Sequence, residues 1–94
     1  MENKRISLKN YAPVINEAVI GDKILKEIRD CDPENNIIHI DMQGIISMTT
    51  FCAKQIFGAL FKDLGEKTYY SNIKPESTTR DIDLIIELGI DSVR

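Results

Sequence analysis

Cysteine, histidine and glycine are too sparse in this chain to build the sites they usually build. Cys31 and Cys52 stand alone, with no C-x-x-C pair and no histidine at metal-ligand spacing, so neither a disulfide framework nor a metal site is expected. The single histidine, His39, sits in an apolar segment with no Ser or Cys nearby to act as its nucleophile, and an interior histidine with hydrogen-bonded ring nitrogens is the expected role. The glycines at 21, 44, 58, 65 and 89 form neither G-x-G-x-x-G nor G-x-x-x-x-G-K, so no motif argues for a nucleotide and no cofactor is expected. No apolar run approaches the roughly 20 residues that cross a bilayer, and the N-terminus lacks an apolar signal segment. A cytoplasmic protein without a membrane anchor is the expectation.

Charge of one sign is also missing. Twelve basic and fifteen acidic residues give −3, and the only basic cluster, Lys4, Arg5 and Lys9, has Glu2 beside it. Nucleic acid binding draws its affinity from a basic surface that releases counterions, and this chain has none, so no nucleic acid partner is expected.

What is present fits one folded domain over residues 1–94: a hydrophobic fraction of 43% with 29% charged residues of both signs interspersed. Arg5 to Lys9 alternates as a half-buried strand, ended by Asn10 to Pro13. Gly21-Asp22 breaks the chain and caps a helix to Cys31, with Ile24, Leu25, Ile28 and Cys31 on one side. Ile37 to Met42 is nearly continuous, the pattern of a central strand covered on both faces. Gln43-Gly44 turns the chain, and a helix from Thr50 to Leu64 aligns Ala53, Ile56, Phe57, Leu60 and Leu64, with Gly65 at its left-handed end. Within it, Gly58 departs from helix propensity, which fits close packing.

Lys67 to Ser71 has the aromatic and β-branched content of a third strand, running towards Ile73. Pro75 to Thr79 reads as a loop, Thr78 with Asp81 as a capping box, and Ile82, Ile85, Ile86 and Val93 as the inward stripe of a last helix. The order βαβαβα implies an α/β fold with a mostly parallel or mixed sheet and helices packed on it. Partners and ligands of such folds meet the loops beyond the carboxyl ends of the strands, here Asp41 to Thr50.

The segment Ile40-Asp41-Met42-Gln43-Gly44-Ile45, then Met48-Thr49-Thr50-Phe51-Cys52-Ala53 and Ile56-Phe57-Gly58, resembles the STAS domain. Within that group it is most similar to a STAS-like family of unknown function from bacteria and mobile elements, and more distantly to anti-sigma-factor antagonists. Gly21 and Leu64-Gly65 agree with the flanks of that pattern.

The resemblance implies a small STAS-like domain that regulates by binding a protein and is not an enzyme. Its implied partner is a histidine-kinase-like (GHKL-type) or anti-sigma-type ATPase, met around Ser47, Thr49, Thr50, Phe51 and Lys54, with Gln55 and Lys62 beyond them. Antagonists of this kind carry a hydroxyl before the second helix that a kinase phosphorylates. An ungapped alignment from Asp41 and Gly44 puts that position on Phe51, with Thr49 at the preceding acidic position and Cys52 at the following glycine. Thr49 and Thr50 are the neighbouring hydroxyls, read either as a phosphorylation switch or as the N-cap of the helix. Two other readings stay open: a small-ligand or nucleotide sensor binding an anion at the Asp41 and Gly44 edge, and a phage or mobile-element protein that inhibits a host complex. A homodimer through an exposed sheet edge also stays open.

Overall fold

Alternation in the central strand sets the architecture. The computed structural model describes residues 1–94, and within β3 (Ile37–Asp41) Ile38 and Ile40 are fully buried while Ile37, His39 and Asp41 are half-buried. Beside it run β1 (Asn3–Ser7) and β5 (Ile73–Glu76), both parallel to it, in the order β1-β3-β5. Because in-register neighbours share a face, Ile6, Ile38, Ile40 and Ile73 line one side, and Asn3, Arg5, His39, Asp41, Lys74 and Glu76 line the other. Helices cover only the first side. The expectation of a strand buried on both faces is therefore corrected, because polar residues on the two neighbouring strands keep the second face of the sheet open.

The first strand lies two residues earlier than its alternation indicates, since Lys9–Tyr11 winds into a 3-10 turn. A second, two-stranded parallel sheet pairs β2 (Val14–Ile15) with β4 (Ser47–Met48). The first helix, α1 (Ala18–Asp30), starts four residues before Asp22 and so carries Gly21 inside it. A Cβ at Gly21 would lie 1.9 Å from Gln55 Oε1, so the bare Cα makes room for that side chain. Gln55 Nε2 donates to Ala18 O at 2.9 Å and to Asp22 Oδ1 at 2.7 Å. Asp22 thus accepts from a neighbouring helix instead of capping its own.

The second helix is one rod in three parts: α2 (Thr50–Ala53), a π-helical turn (Lys54–Gly58) and α3 (Ala59–Leu64). The wide π turn buries Ile56, Phe57 and Gly58 in succession, a run that a regular α-helix spreads beyond one face. Gly65 ends the rod at φ +82°, but its ψ of 161° is extended, and the chain enters α4 (Glu66–Asn72) at once. Lys67 to Ser71 is therefore helical, which corrects the expected strand. Tertiary packing overrides local preference here. Tyr69 and Tyr70 stack edge-on with Phe61, at centroid distances of 5.6 and 6.1 Å, and buried Asn72 donates Nδ2–H to Pro33 O at 2.8 Å.

The third strand follows as β5 and runs through Pro75, which corrects the loop expected from Pro75 onward. Glu76 O accepts from Met42 N–H at 2.9 Å, so alternation turns Pro75 outward on the sheet edge, where its missing N–H breaks no ladder bond. The last helix, α5 (Arg80–Asp91), is capped by Thr79, one residue later than expected, whose Oγ1 accepts from Ile82 N–H at 3.2 Å. Ile82, Ile85 and Ile86 face inward as the periodicity predicts, joined by Gly89 and Ile90, whereas Val93, expected on the same stripe, lies in the turn past the end of the helix and is only partly buried against the core.

The rod and α5 cross where two glycines meet. A Cβ on Gly89 would stand 2.7 Å from Ala53 C and 2.8 Å from Lys54 N, and one on Gly58 would stand 2.9 Å from Gly89 O. All of these are backbone atoms, so neither contact can be relieved by turning a side chain. Gly89→Ala gains up to about 1 kcal/mol of helix propensity but forces the helices apart at about 1–3 kcal/mol. A net loss of about 1–2 kcal/mol in urea unfolding is expected. An alanine variant more stable than the parent would contradict this crossing.

Candidate functional site

The start of the rod is built around Thr49. Its backbone is extended, at φ −72° and ψ 151°, and its Oγ1 accepts from Cys52 N–H at 3.1 Å, which caps the helix. Thr49 N–H donates to Ile15 O at 3.0 Å, so the cap is also tied to β2. The next residues alternate: Thr50 and Phe51 point to solvent, whereas Cys52 and Ala53 enter the core. Cys52 Sγ lies 3.7 Å from Glu17 O and is fully buried. Of the two threonines, Thr49 has its hydroxyl engaged, and Thr50 leaves its own exposed.

Phe51, on the first turn of the rod, is 61% exposed, comparable to Val19, Ile46, Leu84 and Leu88 elsewhere on the surface. It borders a groove of about 370 Å³ that follows the rod past Lys54, Gln55, Gly58, Ala59 and Lys62, with Val93 on the far side. The lining is mostly apolar. A Cβ on Gly58 would lie 2.9 Å from Gly89 O, 3.4 Å from Lys54 Cγ and 3.6 Å from Val93 Cγ1, so α5 takes up the space beside this bare Cα, and the lysine stem and the valine methyls border it.

Asp41 and Gly44 belong to a different place. Together with Ser7, Lys9, Ala12 and Gln43 they line a polar recess of about 410 Å³ at the carboxyl ends of β1 and β3. Asp41 Oδ1 accepts from Gln43 N–H at 2.9 Å, and Gly44 turns the chain at φ +88°, a backbone that favours glycine. The residues expected to form one edge are thus divided: Phe51 and Lys54 line the groove, and Asp41 and Gly44 line the recess. Ser47, Thr49 and Thr50 lie along the chain between them and line neither. Sequence reasoning missed Ala59 and Val93 in the groove and Ser7, Lys9 and Ala12 in the recess: Val93 reads as part of an inward stripe, Ser7 and Lys9 as polar positions of the first strand, and Ala12 as the turn that ends it. Gly58 was signalled by its poor helix propensity.

The open face of the sheet carries a third cluster. His39 Nδ1 lies 2.6 Å from Glu76 Oε2, and Nε2 lies 2.8 Å from Asn3 Oδ1. Both ring nitrogens are hydrogen-bonded as expected, but the ring sits on the open face and not in the core. Arg5 Nη1 reaches Glu76 Oε1 at 3.3 Å. The hydrogen bond from His39, aided by Arg5, holds the Glu76 carboxyl below the ordinary carboxylate range against a smaller desolvation effect.

A depressed carboxyl pKa contributes stability that is complete above the unfolded-state value and is lost as pH falls through the folded one. Glu76→Gln is therefore expected to lower stability at neutral pH and to flatten its decline in acid, measured by urea unfolding across pH. Parallel pH profiles for the two proteins would contradict the link. The cap yields a second expectation: Thr49→Ala loses about 1 kcal/mol, while Thr50→Ala stays within about 0.5 kcal/mol of the parent. Equal losses in urea unfolding would show that Thr49 is not the cap.

Comparison with known proteins returns no matching family model, no matching curated protein and no matching solved structure.

Proposed function

We propose that this domain is a regulatory protein-binding module that engages its partner through the Phe51 end of the rod. The observation that carries this reading is the 61% exposure of Phe51 at the border of a mostly apolar groove. Aromatic side chains are common anchors of protein interfaces, because one ring buries a large area with few rotamers to order. The STAS-like pattern of Asp41 to Gly58 supports the same surface, and with it a histidine-kinase-like or anti-sigma-type ATPase as the partner. A π turn within the groove wall adds weight, since such turns recur at functional sites.

In this reading Thr50 is the hydroxyl open to a kinase, and Thr49 is held by its cap. A phosphate on Thr50 would meet the free amides at the start of the rod and would add charge beside Phe51. Such a group stabilises the helix while spoiling the surface for an apolar partner.

A second reading, small-ligand sensing, is favoured by the polar recess at Ser7, Lys9, Asp41 and Gln43. Thermal-shift screening addresses it, because a ligand at about 100 times its dissociation constant raises stability by about 2.7 kcal/mol.

Affinity capture from the source cells tests the leading reading, with wild type compared against Phe51→Ser and Thr50→Glu. Both positions are exposed, and an acidic residue in the first helical turn favours the helix, so neither variant should unfold. The expected result is one protein held by wild type and lost by both variants, with direct binding reproduced from purified components. Identical capture by all three would contradict the reading.

A further inference from the structure

We propose that the recess between α4, β5 and α5 binds an alkylammonium group, a primary amine on a short apolar stem, through two tyrosine rings and the carboxylates of Asp83 and Glu87. This site shares no residue with the Phe51 groove, and it stands or falls apart from the protein-binding reading.

Shape is the first reason. The recess holds about 170 Å³, with buried Tyr69, Ile73 and Ile86 as its inner lining and the more exposed Tyr70 and Pro75 at its rim. Drug-sized ligands occupy pockets of about 300–1,000 Å³, so this one suits a single side chain or a short alkyl chain. Its apolar inner lining fits the methylenes of such a stem.

Charge is the second reason, and it selects the head group. None of the lining residues is basic, while Asp83 and Glu87 stand one turn apart on α5. Like charges at that spacing repel each other, and a cation seated between them removes the repulsion. Asp91, a further turn along, has Arg94 at 3.5 Å, whereas Asp83 and Glu87 have no cation at ion-pair distance. Other carboxylates of the chain are equally free, but only these two border a concavity with aromatic walls.

Two cations touch Tyr70 without lining the recess. Lys74 Nζ donates to Tyr70 O at 2.8 Å, and Arg94 Nη2 donates to the Tyr70 hydroxyl at 2.8 Å while its guanidinium lies 5.2 Å from the Phe61 ring centroid and 3.5 Å from Glu66. Arg80, one turn before Asp83, forms no ion pair with it. The field at the walls is negative: burial pushes both tyrosine hydroxyls above their ordinary range, and the Glu87 charge adds to it, for Tyr70 against a smaller effect of Arg94.

The partners on offer are the third reason. Tyr70 reaches the Glu87 oxygens only at 3.3 and 3.4 Å, so that carboxylate can take a shorter, charge-assisted donor. The tyrosine rings lie perpendicular to each other, with centroids 5.1 Å apart, and a ring face attracts an ammonium more strongly as water is excluded. A compact ammonium points its three donors in different directions and can meet the carboxylates of α5 and a ring of α4 together. A guanidinium holds its donors in one plane.

The test titrates the full chain with n-butylammonium, and with 1-butanol as its uncharged counterpart, under heteronuclear NMR. Butylammonium is expected to shift the amides of residues 69–75 and 83–87 saturably, at about millimolar affinity that falls as salt rises, with butanol about tenfold weaker. Asp83→Asn with Glu87→Gln should weaken butylammonium about tenfold and Tyr70→Leu about threefold, while Glu17→Gln before α1 leaves it unchanged. Removing like charges one turn apart favours the helix, so the double variant should fold, and circular dichroism melting verifies it. Equal binding of butanol, shifts spread over the surface, affinity indifferent to the double substitution, or tighter binding of n-butylguanidinium would each overturn the site. Nα-acetyl-lysine N-methylamide separates the two sources of such a group. Binding as tight as that of butylammonium assigns the recess to a lysine side chain of a partner, and binding about tenfold weaker assigns it to a free amine.

Discussion

Everything on the helical side of this domain is arranged around the meeting of Gly58 and Gly89. The backbone of α5 comes so near the rod that a single methyl group on either glycine would enter backbone atoms of its neighbour. Such contact brings Ile82, Ile86 and Ile90 into the same core as Ala53, Ile56 and Phe57. It also sets Val93 beside Gly58 and so makes the far wall of the groove. The π turn belongs to the same arrangement, because it carries Ile56, Phe57 and Gly58 into the interior together and leaves Lys54 at the rim. Packing and the candidate surface therefore have one physical origin.

A second glycine does similar service on the other flank. Gly21 admits the Gln55 side chain, whose two N–H bonds then tie the first turns of α1 to the π turn. The rod is thereby held from both sides, by α1 and by α5, while its solvent face stays free. A rigid helix with one unengaged face is a suitable platform for recognition, since little of the surface needs to be ordered on binding.

Much of this was legible in the sequence where periodicity reports burial directly. The rod from Thr50 to Leu64, the inward stripe of α5 and the α/β character all follow from the spacing of apolar residues. Lys67 to Ser71 was misread because tyrosines favour strands in general, whereas here they complete an aromatic cluster with Phe61 that only a helix brings together. Pro75 hid a strand because sequence does not reveal that β5 lies at an edge. The open sheet face escaped notice because Ile37 and Ile38 begin β3 as an apolar run, and only the neighbouring strands disclose which side is polar. At the site, Phe51 and Lys54 were found as neighbours in the chain. Val93 was not, because its role depends on a helix crossing between segments far apart in sequence.

The candidate surface separates cleanly from the two polar clusters elsewhere, the recess at Asp41 and the His39–Glu76 pair on the sheet. That separation makes the account directly testable by footprinting. Amide hydrogen exchange, measured with the purified partner bound and free, should show new protection concentrated in residues 49–62 and at Val93, with the open sheet face unchanged. Protection confined to residues 7–12 and 41–44, or spread over β1, β3 and β5, would contradict the account.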